Sequence, residues 1–331
     1  MVNSILVPLD GSPLAECVLP HVVAIGRAFN ARIILLHVLH VSRSDDKDRL
    51  FDLLNWQINK TSAILYLEKI SHQLEKSGLQ TDIVILEGLV TESIIEFAQS
   101  HGMKLVILSS HGQSGLRKCR ISTVTDEIIE GAPTSIFIVR ASHLLDLPYH
   151  RILVPLDGSL RAENVLPMAT LIAHTHKAQI HILHVVKTPD LARRLPPQQE
   201  DIDLSNQIVA RNREAALLYL DQIQSDSAFA GIDLKTHLII SNNATLSLHE
   251  WVDREQIDLV ALSAHGYSGN NTWPYGSMAN NFILYGKVPL LVVQDLPIIE
   301  GSNRVNIIQV DARVREYSDS LLDKSGQLAR Y

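Results

Sequence analysis

Two short stretches hold the residues best suited to gripping a ligand, and each occurs twice. The first is Ile5-Leu6-Val7-Pro8-Leu9-Asp10-Gly11-Ser12, which returns unchanged 147 positions later as Ile152-Leu153-Val154-Pro155-Leu156-Asp157-Gly158-Ser159. The second is Ser109-Ser110-His111-Gly112-Gln113-Ser114-Gly115, matched by Ser263-Ala264-His265-Gly266-Tyr267-Ser268-Gly269. Small residues and glycine let a backbone come close to a phosphate. A helical pattern then begins near Thr123 or Ser277, and the amides and dipole of a helix start favour an anion. An acid ending one strand, opposite such a loop, describes a nucleotide pocket.

Competing chemistries fare worse. His37, His184, His111 and His265 recur in both repeats, but no His-x-x-x-His or cysteine-rich spacing accompanies them, so they read as hydrogen-bonded structural histidines and no metal site is assigned. Asp10 and Asp157 have no recognisable base, nucleophile or metal cluster nearby; each can anchor the start of the following helix while contacting a ligand. Cys119 lies beside Arg117, Lys118 and Arg120, which would lower its pKa, with a redox role as the minor reading. There is no Gly-x-x-x-x-Gly-Lys, no Gly-x-Gly-x-x-Gly and no Gly-x-Ser-x-Gly. No catalytic residue is assigned, and an efficient enzyme is not indicated.

The elements that must position these stretches read as one α/β unit written twice. Strands are expected at Ser4–Leu9, Arg32–Val38, Asp82–Leu86, Lys104–Ser109 and Ser135–Val139, then at Arg151–Leu156, Gln179–Val186, Thr236–Ile240, Asp258–Ser263 and Leu290–Val293. Most are nearly continuous Ile, Val and Leu, the signature of a parallel sheet covered on both faces. Helical spacing at Val18, Val22, Ile25 and Phe29 follows the first strand, with Ser12 as N-cap and Pro13 at the first helical position. Pro20 and Pro167 share the repeat offset and are expected to kink their helices. Further helices are expected over Asn59–Lys76, Thr91–Ser100 and Thr123–Glu130. Five strands alternating with four helices argue a doubly wound parallel sheet, whose ligands bind outside the carboxyl ends of the strands where strand order reverses.

Val41–Lys60 and Lys187–Arg213 both follow the second strand of their repeat and share no sequence. They read as surface excursions, the second an extended loop before a helix, with a lid as the sharper alternative. Residues 296–331 belong to neither repeat. Val305–Val310 is a possible sixth, edge-adding strand, and Tyr317–Tyr331 a polar helix or a disordered end. The division is domain 1 over 1–141, a linker over 142–149, domain 2 over 150–295 and a C-terminal extension.

Composition sets the outer bounds. A chain of 331 residues suits two domains of about 150 each. Hydrophobic residues make up 46% and aromatics only 5%, so the core must be aliphatic. The net charge of −7 gives no basic footprint for nucleic acid or an anionic membrane. The two cysteines form no disulfide framework, no signal peptide precedes the first strand, and no apolar stretch approaches the roughly 20 residues of a membrane span. A soluble protein of the cytoplasm is expected.

With these residues in place, the sequence resembles the universal stress protein family in its tandem form, over about residues 3–140 and 150–294. Nucleotide-binding members of that family carry Gly-x-x-Gly, nine residues, then Gly-Ser or Gly-Thr, with an Asp after strand one and a Val after strand two. Domain 2 reads Ser263-x-x-Gly266, nine residues, Gly276-Ser277, with Asp157 and Val185 at the adenine- and ribose-side positions. Domain 1 reads Ser109-x-x-Gly112, nine residues, Ser122-Thr123, with Asp10 and Val38. Ser122 is the more serious departure, since its Cβ would block the phosphates or forbid a positive φ. Trp273, Pro274 and Tyr275 would stiffen or fill the second site.

The resemblance implies an adenine nucleotide α-hydrolase-like fold with two five-stranded sheets packed as a pseudo-dimer through strand five. It further implies ATP or a related adenine nucleotide, with or without Mg, held mainly in domain 2. The expected role is a stress-response regulator acting through conformation or an unidentified protein partner, with two tandem chains associating as a homodimer. A slow ATP hydrolase and a dimerisation scaffold that binds no nucleotide are the alternatives.

Overall fold

The computed structural model describes residues 2–40, 49–111, 121–132, 134–140, 149–189, 198–267, 274–295 and 307–308, with backbone alone at 49–53 and 307–308. Domain 1 runs β1 (Ser4–Pro8), α1 (Leu19–Phe29), β2 (Arg32–Leu39), α2 (Arg49–Lys76), β3 (Thr81–Glu87), α3 (Val90–Ser100), β4 (Leu105–Ser109), α4 (Thr123–Gly131) and β5 (Ser135–Val139). Domain 2 runs β6 (Arg151–Pro155), a single turn α5 (Leu160–Glu163), α6 (Leu166–His176), β7 (Gln179–Lys187), α7 (Gln199–Gln224), β8 (Leu234–Ser241), α8 (Ala244–Arg254), β9 (Leu259–Ser263), α9 (Ser277–Tyr285) and β10 (Leu290–Val293).

The strands form one sheet in the order β11-β3-β2-β1-β4-β5-β10-β9-β6-β7-β8, where β11 is Ile307–Ile308. Within each domain the pairing is parallel, and order reverses between β1 and β4 and between β6 and β9. The two halves join through β5 and β10, antiparallel, with Leu291 opposite Phe137. The expected pseudo-dimer through strand five is therefore built into a single continuous sheet. Antiparallel joining points the carboxyl edges of the two domains in opposite directions.

Alternation along each strand divides the core into two layers. Ile5 and Val7 face one layer and Leu6 the other; Ile152, Val154 and Leu153 repeat the arrangement, all without exposure. One layer packs beneath α1, α2, α6 and α7 and the other beneath α3, α4, α8 and α9, and both run through the two domains. Burial on both faces explains the nearly unbroken Ile, Val and Leu of the strands.

The prolines act differently from expectation. Pro20 lies in the first turn of α1 and Pro167 in the first turn of α6, where a missing N–H costs nothing, so neither kinks a helix. The chain before them forms a separate short turn, a 3-10 turn at Ala15–Val18 and α5 in domain 2. Ser12 accordingly lies ahead of that turn, where its Oγ accepts from the Ala15 amide at 3.1 Å, while the N-cap position itself is Leu14 with no side-chain cap, and Pro13 precedes it. The two excursions are also more regular than expected. Helix α2 begins at Arg49 and α7 at Gln199, inside the stretches read as surface excursions. Residues 41–48 and 190–197, and with them the lid alternative, lie outside the described residues. The C-terminal strand is Ile307–Ile308, which pairs antiparallel with Leu86 and Ile85 at the β3 edge. The stretch Tyr317–Tyr331 lies outside the described residues. Among the described residues no helix is long and apolar enough to cross a membrane.

Polar contacts cross the interface between the halves on both faces of the sheet. Arg140, just after β5, is buried and its Nη2 donates to the carbonyls of Phe282 and Ile283 near the end of α9, each at 2.7 Å. Gly286 leaves room for it: a Cβ there would meet the Phe282 carbonyl at 2.6 Å and the guanidinium at 3.3 Å. On the opposite face Tyr149, from the end of the linker, is wholly buried between α1 and α6 and pairs its hydroxyl with His21 Nδ1 at 2.6 Å.

Candidate functional site

Each Asp-Gly-Ser stretch forms a self-contained turn at the carboxyl end of the first strand of its domain. The carbonyl-side bend needs a positive φ, which Gly11 (+81°) and Gly158 (+80°) supply. Asp10 Oδ1 accepts from the Ser12 amide at 2.9 Å. Asp157 Oδ1 accepts from the Ser159 amide at 3.1 Å and its hydroxyl at 2.6 Å, while Ser159 Oγ accepts from the Ala162 amide at 3.2 Å. The carboxylates thus do anchor the following turn, as the sequence suggested, and still stand at the mouth of the crevice.

In domain 2 the loop after β9 closes onto that carboxylate. The Tyr267 amide donates to Asp157 Oδ2 at 2.6 Å. A Cβ on Gly266 would lie 2.2 Å from the same oxygen, so any other residue there would displace the Asp157 carboxylate, while the φ of Gly266 makes no demand of its own. The Gly266 and Asp157 of the motif therefore meet directly. Gly112, the first-domain counterpart, lies outside the described residues, as do Arg117, Lys118, Cys119, Arg120 and Trp273.

Gly276 and Ser122 occupy equivalent places at the start of α9 and α4. Each donates its amide back to the strand-four loop, Gly276 to Ala264 at 2.7 Å and Ser122 to Ser110 at 2.8 Å. Their φ values are −69° and −75°, so the expected conflict between Ser122 and a positive φ does not arise. The difference is the side chain. Ser122 Oγ accepts from the Thr125 amide at 3.1 Å and caps α4, whereas no side chain caps α9. The first amides of α9, at Ser277 and beyond, keep their anion-binding capacity; those of α4, starting at Thr123, have lost one to Ser122.

The space left by side chains ranks the domains the other way. A cavity of about 640 Å³ in domain 1 reaches from Asp10 and Val38 past Ser109 and Ser122 to Ile94 and Ile128. The corresponding cavity in domain 2 is about 390 Å³, and of the motif residues its wall includes Asp157 and Val185. Tyr275, which stands where domain 1 has Ile121, is buried in the core layer under α8 and α9. Ser263 is buried with its Oγ unpartnered, while Ser109 Oγ donates to the Leu14 carbonyl at 3.0 Å.

Sequence reasoning passed over one pair of residues in both pocket walls. Tyr66 of α2 lines the first cavity and Tyr219 of α7 the second. The signal was present: Ala63-Ile64-Leu65-Tyr66-Leu67-Glu68-Lys69-Ile70 and Ala216-Leu217-Leu218-Tyr219-Leu220-Asp221-Gln222-Ile223 share one pattern, inside stretches otherwise unalike. Tyr219 donates its hydroxyl to Glu163 Oε1 at 3.0 Å.

Domain 2 also carries a buried ionic cluster with no described counterpart in domain 1. Asp295, with its side chain 1% exposed, accepts from Arg161 Nε at 2.5 Å and pairs with His265 Nδ1 at 2.7 Å. It ties the end of β10 to both loops of the site. Two of the other repeated histidines are likewise hydrogen-bonded, His37 Nδ1 to the Leu9 carbonyl at 2.7 Å and His111 Nδ1 to Ser110 Oγ at 3.1 Å, whereas His184 Nδ1 is buried without a partner.

Comparison with known proteins follows the same two-part division. The universal stress protein family matches residues 1–140 and again 148–294. Universal stress protein MJ0577 of Methanocaldococcus jannaschii is 30% identical over 156 residues, covering 42% of this chain and 96% of the relative. Universal stress protein YxiE of Bacillus subtilis is 24% identical over 149 residues, covering 42% of this chain and all of the relative. Among solved structures, a universal stress protein from Archaeoglobus fulgidus superposes with a TM-score of 0.63 at 17% identity, over 89% of this chain and 99% of that one.

Proposed function

Because the chain belongs to the universal stress protein family, we propose that it binds ATP or a related adenine nucleotide at the carboxyl edges of its sheet and acts as a regulator. The observation that carries this reading is the meeting of Asp157 with Gly266 and the Tyr267 amide, beside a helix α9 that no side chain caps. Asp157 and Val185 would hold the adenosine, and the amides at Gly266, Gly276 and Ser277 the phosphates, with or without Mg. This makes domain 2 the phosphate-binding half. Domain 1 offers Asp10, Val38, Ser109, Ser122 and Thr123 around a larger space, and is read as the weaker site for a triphosphate. A cytoplasmic location, a homodimer of tandem chains and an unidentified regulatory protein partner complete the proposal. Slow hydrolysis would be a secondary activity.

The deciding experiment is to denature the purified chain, chromatograph what it releases, and titrate the emptied protein with ATP in a calorimeter. Recovered or rebound adenine nucleotide, weakened about tenfold or more by Asp157→Ala and less by Asp10→Ala, is the expected result, corresponding to the loss of one charge-assisted contact. A chain that releases nothing and takes up no ATP is a scaffold.

A further inference from the structure

We propose that Tyr66 and Tyr219 are the walls on which the flat ring of a bound ligand stacks, with the Tyr219 ring held in place by Glu163. This rests on the reading of the two crevices as adenine-nucleotide sites and assigns the residues that would select a planar base.

Three observations converge on these tyrosines. Both line the cavity of their own domain, next to the strand-one acids Asp10 and Asp157. Both occupy the same register: Ala63, Leu67 and Ile70 on α2, and Ala216, Leu220 and Ile223 on α7, are buried against the sheet. That core-facing stripe leaves the tyrosine at the helix flank, looking toward the crevice. A glutamate of the short turn after the strand-one loop also stands at the same repeat position in each domain, Glu16 and Glu163. Tyr219 donates to Glu163 directly. In domain 1, burial and then the charges of Glu16 and Asp10 push the Tyr66 phenol above its ordinary value, as burial and Glu163 do for Tyr219. The phenols therefore stay protonated, and in Tyr219 the proton shared toward Glu163 leaves an electron-rich ring face.

The constellation of Asp, Glu and Tyr is thus retained in both halves although the segments leading into α2 and α7 share no sequence. A mere pin between helix and turn could be made by many residue pairs, and it would not require an aromatic ring in the cavity wall. A stacking wall requires one. Stacking also tolerates the unequal depth of the two pockets, because a ring face needs only a parallel approach.

The test uses the full-length chain with Tyr66→Leu/Tyr219→Leu and Tyr66→Phe/Tyr219→Phe double variants. ATP and inorganic tripolyphosphate are the calorimetric probes, and the proton resonances of the adenine ring report stacking by their ring-current displacement. The Leu variant should lose about tenfold in ATP affinity, leave tripolyphosphate binding unchanged, and abolish the displacement; the Phe variant should keep it. The Phe variant alone decides the matter if the Leu variant does not fold: a displacement lost with Phe overturns the wall in favour of a role for the hydroxyl. Wild-type-like ATP affinity and displacement in the Leu variant would overturn the wall and leave the nucleotide reading standing. A wild-type chain that binds no ATP would remove both.

Discussion

The two domains share a motif, a strand order and a core, yet their crevices differ in opposite senses. Domain 2 retains Gly276 and Gly266 and an uncapped α9, but its cavity is about 390 Å³. Domain 1 has Ser122 capping α4, but encloses about 640 Å³. Backbone features that grip phosphate and side-chain volumes that admit the rest of a ligand have diverged separately. A motif reports the first kind of feature and is silent about the second.

The largest break in this comparison should come from Asp295→Ala. Its carboxylate is the shared acceptor of Arg161 and His265, and nearly all of its side chain is inside the protein. Removing one member of a buried ionic cluster typically costs about 3–5 kcal/mol, and the partial exposure of Arg161 places this case at the lower end. Domain 1 has no described equivalent. Hydrogen exchange should therefore speed up in β6, β9 and β10 while β1–β3 stay near wild type. Equal loosening of both domains would show that the continuous sheet unfolds as one unit.

Much of this was legible in advance, and for identifiable reasons. A strand buried on both faces must be apolar throughout, so the ten principal strands could be read directly from runs such as Ile5–Leu9 and Ile152–Leu156. The repeat itself disclosed the two-part organisation. What escaped was whatever depends on the partner across space. Pro20 and Pro167 mark helix starts rather than kinks because the chain before them turns separately, which periodicity at Val18 and Val22 concealed. The Ser122 departure was legible as a change, but its consequence is an added cap and not a forbidden φ. Arg140 reaching the end of α9, and Asp295 reaching His265, join residues about 140 and 30 positions apart, and no local pattern encodes them. Tyr66 and Tyr219 were readable, but only by comparing stretches whose surroundings look unrelated.

The unequal interface supplies the second test. His21 on α1 stands at the repeat position of Met168 on α6. Buried against Tyr149 and beside the Phe137 ring, it has its pKa lowered by desolvation to about 4. The unfolded chain, with an ordinary histidine near 6.5, binds more protons between those values, so the His21 contribution is intact above about pH 6.5 and is lost as pH falls toward 4. Between pH 7 and pH 5 that amounts to about 2 kcal/mol. His21→Met, which installs the residue of the other half, should lower stability at pH 7 by about 1 kcal/mol through the lost Tyr149 partner and flatten the decline toward pH 5. Denaturant midpoints across that pH range measure both effects. An unchanged slope would place the titrating group elsewhere, with His181, also lowered to about 4, the next to examine.

The finest test exchanges the two residues that distinguish the helix starts. Ser122→Gly removes the α4 cap and frees the Thr125 amide; Gly276→Ser places a hydroxyl where it can cap α9. The second substitution fits with a small adjustment, since a Cβ at 276 would lie 3.3 Å from the Ala264 carbonyl and the φ of −69° suits any residue. Serine and glycine differ by only a few tenths of a kcal/mol as N-caps, so the folded state should hardly register either change. Phosphate should register both. A helix-start amide engaged by its own cap is not available to an anion, so the ATP-to-adenosine affinity ratio should rise in domain 1 with Ser122→Gly and fall in domain 2 with Gly276→Ser, each by about threefold to tenfold. Isotope-edited spectra that follow Val38 and Val185 separately assign each effect to its domain. A ratio that moves in neither domain would mean that cavity volume alone sets occupancy, and would make domain 1 the principal site.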